Sequence, residues 1–428
     1  MPLLVLDHLD APLWHIAFSG GLDSTVLLHR LVGLSRQQRL PPLRAVHVHH
    51  GLQAAADAWP GHCQAVCASL GVPLTVLHVR VEAGASLEQA ARQARYQAFE
   101  RLLGAGEVLL TAQHSDDQAE TLLFRLLRGA GVRGLAGMPC QRRLGQGWLL
   151  RPLLDQSRAQ LEAYAREQGL SAIEDPSNQD LSFSRNYLRH RVLPSIEQRW
   201  PQATATIARS AEHLREALGL LDEVALEDLR AATQAGPFDW LGLPSLLLEP
   251  LRGLSPARQR NALQHWLVPR TRLPDSAHWR GWEDLRDARV EAAASWKLAD
   301  GQLRRGAGRL WWLPATWQAP WAERQAWPDV RVPLVLDGNG QVVFQGPPPM
   351  GSVCIGYRQG GEIFDTPDRG RRDLKRLLNE AGVPGFARAR LPLMFVDGRL
   401  HAVANLARPD AALPSLQWSP LGGDQRLR

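Results

Sequence analysis

The stretch His15–Ser24, HIAFSGGLDS, decides the fold. An apolar run over Trp14–Phe18 stops at Ser19 and two adjacent glycines, and Asp23 and Ser24 follow at once. Serine and glycine at a strand end have a plain reading as a turn. They also have a ligand reading. Glycines let backbone N–H groups approach an anion, and the following helix aims its positive N-terminus at the same point. The string is neither the G-x-x-x-x-G-K-[ST] of a Walker loop nor the G-x-G-x-x-G of a dinucleotide fold. What the chain brings beside it decides between the two readings.

Outward from this loop, the first third of the chain alternates between two periods. Leu43–His49 and Leu74–Val79 read as strands, and so does Glu107–Ala112. Ser24–Leu34, Ala54–Leu70, Ser86–Leu103 and Asp116–Leu127 read as helices, the third opened by a capping box of Ser86 and Gln89 and the fourth capped by Ser115. Strand–helix alternation predicts an α/β domain, a parallel sheet covered by helices on both faces. From about Pro152 the pattern is helical, and a second helical region follows over about Ala203–Leu298. KLADGQLRRGAGRLWWLP reads as a strand pair around Asp300-Gly301, and the Pro- and Trp-rich stretch 314–333 as a linker. Beyond it, short strands mix with one basic helix around Arg371–Glu380. The expected division is a catalytic domain over 1–205, a helical middle domain over 206–318 and a small α+β domain over 319–428.

With 428 residues, the chain exceeds what one core usually holds. Its 45% hydrophobic and 21% charged content is that of a soluble globular protein. A net charge of +6 favours a polyanionic partner such as nucleic acid. Only Lys297 and Lys375 are lysines, so no P-loop-type lysine serves phosphates in the N-terminal half. The cysteines Cys63, Cys67, Cys140 and Cys354 complete no zinc site and no disulfide framework. They read as reduced thiols of a cytoplasmic protein. No signal peptide and no apolar run of membrane length is visible, so no membrane partner is expected.

In an open parallel sheet, ligands bind beyond the carboxyl ends of the strands. The polar residues fall there repeatedly: Ser19, Gly20, Gly21, Asp23 and Ser24 after the first strand, His47, His49 and His50 at the end of the second, and His114, Asp116, Asp117 and Glu120 after the fourth. Each has a plain alternative. His47 and His49 share a strand face and suit a core equally well. Asp116 and Asp117 suit the first turn of any helix. Arg92 and Arg95 in AARQARY are either solvated or aimed at phosphate. Asp117 and Glu120, three apart on one helix face, can hold a cation, either Mg²⁺ or a cationic substrate.

SGGLDS after a strand resembles the pyrophosphate loop of the ATP-pyrophosphatase superfamily. The series SGGLDS, HVHHGL, AARQARY, AQHSDDQAETLLFRLLRGAGVRGLAGM, RPLL and EDPSNQDLSFSRNYLRHRVLP is similar to the tRNA(Ile)-lysidine synthetase family, and LKRLLNEAGVPGFARARLPLMFVDGRL resembles that family's last domain. One departure is Gln113, where many members carry histidine. The resemblance implies an ATP-dependent ligase that joins free L-lysine to the wobble cytidine of a tRNA(Ile) with a CAU anticodon. The cytidine is first adenylated, and the products are lysidine, AMP and pyrophosphate, which switches decoding from methionine to isoleucine. It implies that Ser19, Gly20, Gly21, Leu22, Asp23, Ser24 and His50 bind ATP, that Asp23 is the Mg²⁺ partner, and that Asp23, Arg95, Asp117 and Glu120 are catalytic. Asp117 and Glu120 would meet the lysine ammonium or share the metal. Arg185, Asn186 and Arg189 on one basic helix, and Arg371, Arg372 and Lys375 on another, would touch tRNA. Oligomeric state stays open.

Overall fold

Trp14 and Ile16 put their side chains on one face of the first strand, and His15 and Ala17 put theirs on the other. That alternation repeats along the sheet. Val108 and Leu110 join Trp14 and Ile16, while Leu109 and Leu149 join Val46 on the opposite side. A sheet buried on both faces needs helices on both, and a computed structural model shows them. It describes residues 6–51, 54–81, 87–275, 277–289, 293–366, 370–406 and 414–420.

The N-terminal elements are β1 (Trp14–Ala17), α1 (Leu22–Ser35), β2 (Leu43–His49), α2 (Trp59–Leu70), β3 (Leu74–His78), α3 (Leu87–Leu102), β4 (Val108–Leu110) and α4 (Ser115–Leu126). After them come α5 (Val132–Leu135), β5 (Gln141–Leu144), β6 (Gly147–Leu150), α6 (Arg158–Glu167), α7 (Ser184–Tyr187), α8 (Leu193–Arg199) and α9 (Ala203–Ala232). The strand order is β3-β2-β1-β4-β6-β5, parallel except for the antiparallel β5–β6 hairpin at the edge. One core layer packs Val26, Leu27 and Leu31 of α1, Cys63 and Cys67 of α2, and Leu161 of α6 on the sheet. The other packs Phe99 of α3 against Leu109 and Leu149. Burying each such leucine contributes about 1.5–3 kcal/mol. The order of connections reverses between β1 and β4, so the crevice outside their carboxyl ends is the expected ligand position.

Three local expectations change. The cap of α4 is His114, one residue before Ser115, because the Asp117 carboxylate reaches back to accept the His114 N–H at 3.1 Å. Val108–Leu110 is shorter than the strand expected over Glu107–Ala112. The third change is the added β5–β6 hairpin, whose signal is the Gly145-Gln146 turn between Arg143 and Trp148. Ser86 of the expected α3 capping box lies outside the described residues.

The chain divides into two compact units, 1–219 and 220–428. In the second, β7 (Ser245–Leu247), α10 (Leu248–Arg252), α11 (Pro256–Leu267), α12 (Arg280–Asp287), β8 (Ser295–Leu298), β9 (Gly301–Gly306) and β10 (Arg309–Pro314) form an antiparallel sheet, β7-β10-β9-β8, with helices packed on it. Trp279, Trp282, Trp296 and Trp312 fill its core. Within the stretch 203–298, expected as helical, β7 is an added strand. The expected pair around Asp300-Gly301 is β8 with β9, and β10 adds a third strand.

The last part contains β11 (Arg324–Ala326), β12 (Leu334–Leu336), β13 (Gly340–Gln345), β14 (Val353–Gly356), β15 (Ile363–Thr366), β16 (Gly370–Asp373), α13 (Leu374–Glu380), α14 (Gly385–Arg388), β17 (Leu393–Val396), β18 (Arg399–Val403) and β19 (Ser415–Ser419). The stretch 314–333, expected as a linker, is packed: Trp317 and Trp327 are buried in one core with Trp311 of β10 and Trp418 of β19. Arg371 and Arg372 lie on β16 rather than on a helix, because the Asp373 carboxylate accepts the Arg376 N–H and starts α13 after them. Among the described residues no helix is long and apolar enough to cross a membrane.

Candidate active site

The loop after β1 is knotted by its own serines. Ser24 Oγ donates to the Gly21 carbonyl at 2.9 Å and accepts the Ser19 N–H at 3.2 Å, and Thr25 Oγ1 donates to Gly21 at 3.0 Å. From outside, the Ile173 N–H holds the Gly20 carbonyl at 2.9 Å. Gly20 has φ +83°, and a Cβ there would stand 2.6 Å from Ile173 Cδ1, so only glycine fits. The carbonyls are thereby tied back. Leu22, Asp23 and Ser24 form the first turn of α1, whose N–H groups have no partner inside the helix. That is a seat for an anion.

The second element is α4. His114 is buried beneath three carboxylates: its Nε2 lies 3.8 Å from Asp23 and 3.5 Å from Asp117, and its Nδ1 lies 3.5 Å from Asp116. Burial alone would lower its pKa. The nearby carboxylates of Asp116, Asp117 and Asp23 outweigh that and raise it above the ordinary value. Desolvation holds Asp23 and Glu120 above the ordinary carboxylate range, each against opposing cations, and Asp117 adds to both.

Two arginines close the cluster. Arg158 NH1 donates to both oxygens of Asp23 at 2.7 Å, and its backbone N–H donates to Asp116 at 2.9 Å. Its position is fixed by a capping box at the start of α6, where Ser157 and Gln160 exchange hydrogen bonds. Arg189 donates through Nε to Glu120 at 2.6 Å and through NH2 to Glu120 at 3.1 Å and Asp117 at 3.2 Å. The helix carrying it widens into a π-turn over Leu188–Val192, a distortion frequent at functional sites. Asp23, Asp116, Asp117 and Glu120 thus surround His114, Arg158 and Arg189, and Arg158 also donates to Glu162 at 2.9 Å, so carboxylates outnumber guanidiniums.

The remaining expected residues divide. His47 is a core histidine: its Nδ1 lies 3.0 Å from the Phe18 carbonyl and 3.4 Å from Cys63 Sγ. His49 meets Asp57 at 3.4 Å. His50 is half-buried, and burial with the charge of Arg95 lowers its pKa to about 4, so it is neutral at physiological pH. Arg95 is half-buried on α3 within the field of His50. Arg185 reaches Thr121 of α4 at 3.1 Å, and Asn186 holds the carbonyls of Ser177 and Asp180 at 2.8 and 2.9 Å. Arg185 and Arg189, expected to touch tRNA, both lie against α4. Arg371, Arg372 and Lys375 lie in the second unit. Sequence reasoning missed Arg158 and the hub at His114. The capping box Ser157–Gln160 was the available signal for the first.

Comparison with known proteins finds three matches to family models. Residues 4–196 match the PP-loop domain, residues 246–311 the TilS substrate binding domain, and residues 353–413 the TilS substrate C-terminal domain. The chain is similar to tRNA(Ile)-lysidine synthases from three Pseudomonas species. It is 61% identical to that of Pseudomonas fluorescens over 423 residues, 98% of this chain and 96% of the relative. It is 61% identical to that of Pseudomonas putida over 410 residues, 96% of each. It is 60% identical to that of Pseudomonas aeruginosa over 420 residues, 97% of this chain and 95% of the relative.

Proposed function

The chain belongs to the tRNA(Ile)-lysidine synthase family, a family of ligase-type enzymes, and from that premise we propose how its residues do the work. The substrates are a tRNA(Ile) with a CAU anticodon, ATP and free L-lysine. The 2-carbonyl oxygen of the wobble cytidine attacks the α-phosphate of ATP, and pyrophosphate leaves. The ε-amine of lysine then attacks the activated carbon, the carbon–oxygen bond breaks, and AMP leaves with the oxygen. A carbonyl oxygen is a poor leaving group, and adenylation makes it a good one. The observation that carries this reading is the meeting of the Ser19–Ser24 loop with the acidic cluster of α4 at the β1/β4 switch point.

The loop amides and the N-terminus of α1 hold the leaving pyrophosphate. Arg95 faces phosphate or the adenylated base, and His50, uncharged, lines the nucleotide side. Asp117 meets the lysine ammonium. Glu120, 1% exposed with both oxygens on Arg189, holds that arginine in place rather than opening to substrate. The excess negative charge favours lysine over a neutral or acidic amino acid. Asp23 suits Mg²⁺, which takes one or two carboxylates together with substrate phosphates. Asp23 would hold such an ion, which would neutralise charge on pyrophosphate, and Arg158, bonded to both Asp23 oxygens, lies beside that position as a phosphate partner.

The proposed division of labour is catalysis in 1–205, with 206–318 and 319–428 holding tRNA, the latter through Arg371, Arg372 and Lys375. Such a substrate places the work in the cytoplasm. Sulfur transfer, the chemistry of an alternative adenylating tRNA modifier, needs a reactive thiolate. Cys63 and Cys67 are buried, and burial pushes their thiols up to about 12 and about 11. Incubation with bulk tRNA, ATP and labelled lysine tests the function. Label should enter tRNA only when all three are present. Incorporation without ATP, or none at all, overturns the reading.

A further inference from the structure

Arg92, Arg142 and Arg151 gather on one tyrosine, and neither the loop chemistry nor the acidic cluster uses them. The Tyr96 ring carries Arg92 at 4.9 Å and Arg142 at 5.2 Å from its centroid. Arg151, 6% exposed, lies beside them: its backbone N–H donates to the Cys140 carbonyl at 2.8 Å, two residues from Arg142, and its NH1 donates to the Pro139 carbonyl at 2.7 Å, while its buried Nε has no partner. No carboxylate pairs with these three arginines among the described residues. Three guanidiniums held together with a buried unused donor and no counter-charge are costly unless an anion completes them.

Three elements bring them together: Arg92 from α3, Arg142 from β5, and Arg151 just after β6. Arg92 and Arg142 remain open, the first exposed and the second half-buried. Arg92 precedes Arg95 by three residues on α3, so the cluster and Arg95 share one face of that helix.

We propose that Arg92, Arg142 and Arg151, arrayed on Tyr96, form a seat for a phosphodiester of the RNA strand that carries the target cytidine. The assignment rests on the proposed tRNA substrate. Tyr96 spaces the guanidiniums through its ring and hydroxyl, and the anion supplies the missing charge by bidentate contacts. A phosphate next to the target base, fixed there, positions the cytidine carbonyl toward ATP.

The test uses the full chain and an anticodon stem-loop RNA of CAU sequence, with Arg92→Gln/Arg142→Gln beside wild type. Melting temperatures establish that the variant is folded, and Arg142→Lys serves as a charge-keeping control. Wild type should bind the RNA with a clear salt dependence. The double variant should bind roughly ten-fold or more weakly, and its salt slope should be shallower by about 1.4, two single-strand contacts at about 0.7 each. ATP affinity should not change, and Arg142→Lys should keep the slope. In the wild type, a neutral methylphosphonate at one linkage beside the cytidine should weaken binding, and the double variant should lose little more from it. A loss of ATP affinity with RNA affinity intact would assign the seat to the nucleotide and overturn the proposal. So would an unchanged RNA slope. If wild type itself does not bind the stem-loop, the tRNA reading falls, and the seat falls with it.

Discussion

Asp117 and Glu120 sit three residues apart on one helix face, yet the structure gives them different surroundings. Asp117 shares Arg189 and remains 16% exposed in its side chain; Glu120 is buried with both oxygens engaged. Asp117→Asn should therefore weaken lysine use by roughly one to two decades, the worth of a charge-assisted contact, and reduce cytidine adenylation less. Single-turnover adenylation without lysine, then a lysine chase, measures both steps; an equal fall in both would contradict the division. Glu120→Gln acts through its partner. It should cost about 1–3 kcal/mol of stability, and Glu120→Gln/Arg189→Gln should cost less than the sum of the single changes. Urea unfolding of the three variants checks this, and simple additivity would remove the coupling. His114 gives a pH signature. Its folded pKa is raised above the ordinary 6.5, so its proton contributes stability that is full below 6.5 and is lost as pH climbs through the raised value. The melting-temperature advantage of wild type over His114→Gln should shrink across that window, and a constant difference would show that the imidazolium contributes nothing.

At the scale of elements, the parallel sheet, the phosphate loop and the acidic start of α4 were legible, because each rests on local chemistry: a period of two or 3.6, a glycine turn, a carboxylate in a first turn. What escaped depends on long-range partners. His114 looks like one polar residue among several until Asp23 and Asp116 close around it. Arg189 reads as basic surface until the π-turn directs it at Glu120. The edge hairpin β5–β6 has little sequence of its own to announce it, yet it supplies Arg142. The loop itself depends on Gly20. Gly20→Ala should cost about 1–3 kcal/mol and weaken ATP binding more than RNA binding, since strain and the Ile173 contact fall on the loop alone. Calorimetric ATP titration with parallel RNA binding measures it, and an unaltered ATP affinity would contradict the account of the loop.

For the whole molecule, the tryptophans explain why domain limits were harder to read than the domain types. The stretch 314–333 has the Pro and Trp content of a linker, but Trp317 and Trp327 complete a core with Trp311 and Trp418. Contacts between residues a hundred apart leave no local trace in the sequence. A consequence is that the end of the chain is better probed by charge than by truncation. Arg371→Gln/Arg372→Gln/Lys375→Gln should raise the tRNA KM and lower the salt slope by roughly 2, while ATP binding stays constant. An unchanged slope would show that this face does not meet the RNA backbone. The central claim is that the wobble cytidine, not lysine, is activated by ATP. It is tested most directly with tRNA carrying ¹⁸O at the 2-carbonyl of that cytidine. The account predicts that the heavy oxygen appears in the phosphate of AMP, one atom for each lysine joined. AMP free of the label, with lysine nonetheless incorporated, would contradict it.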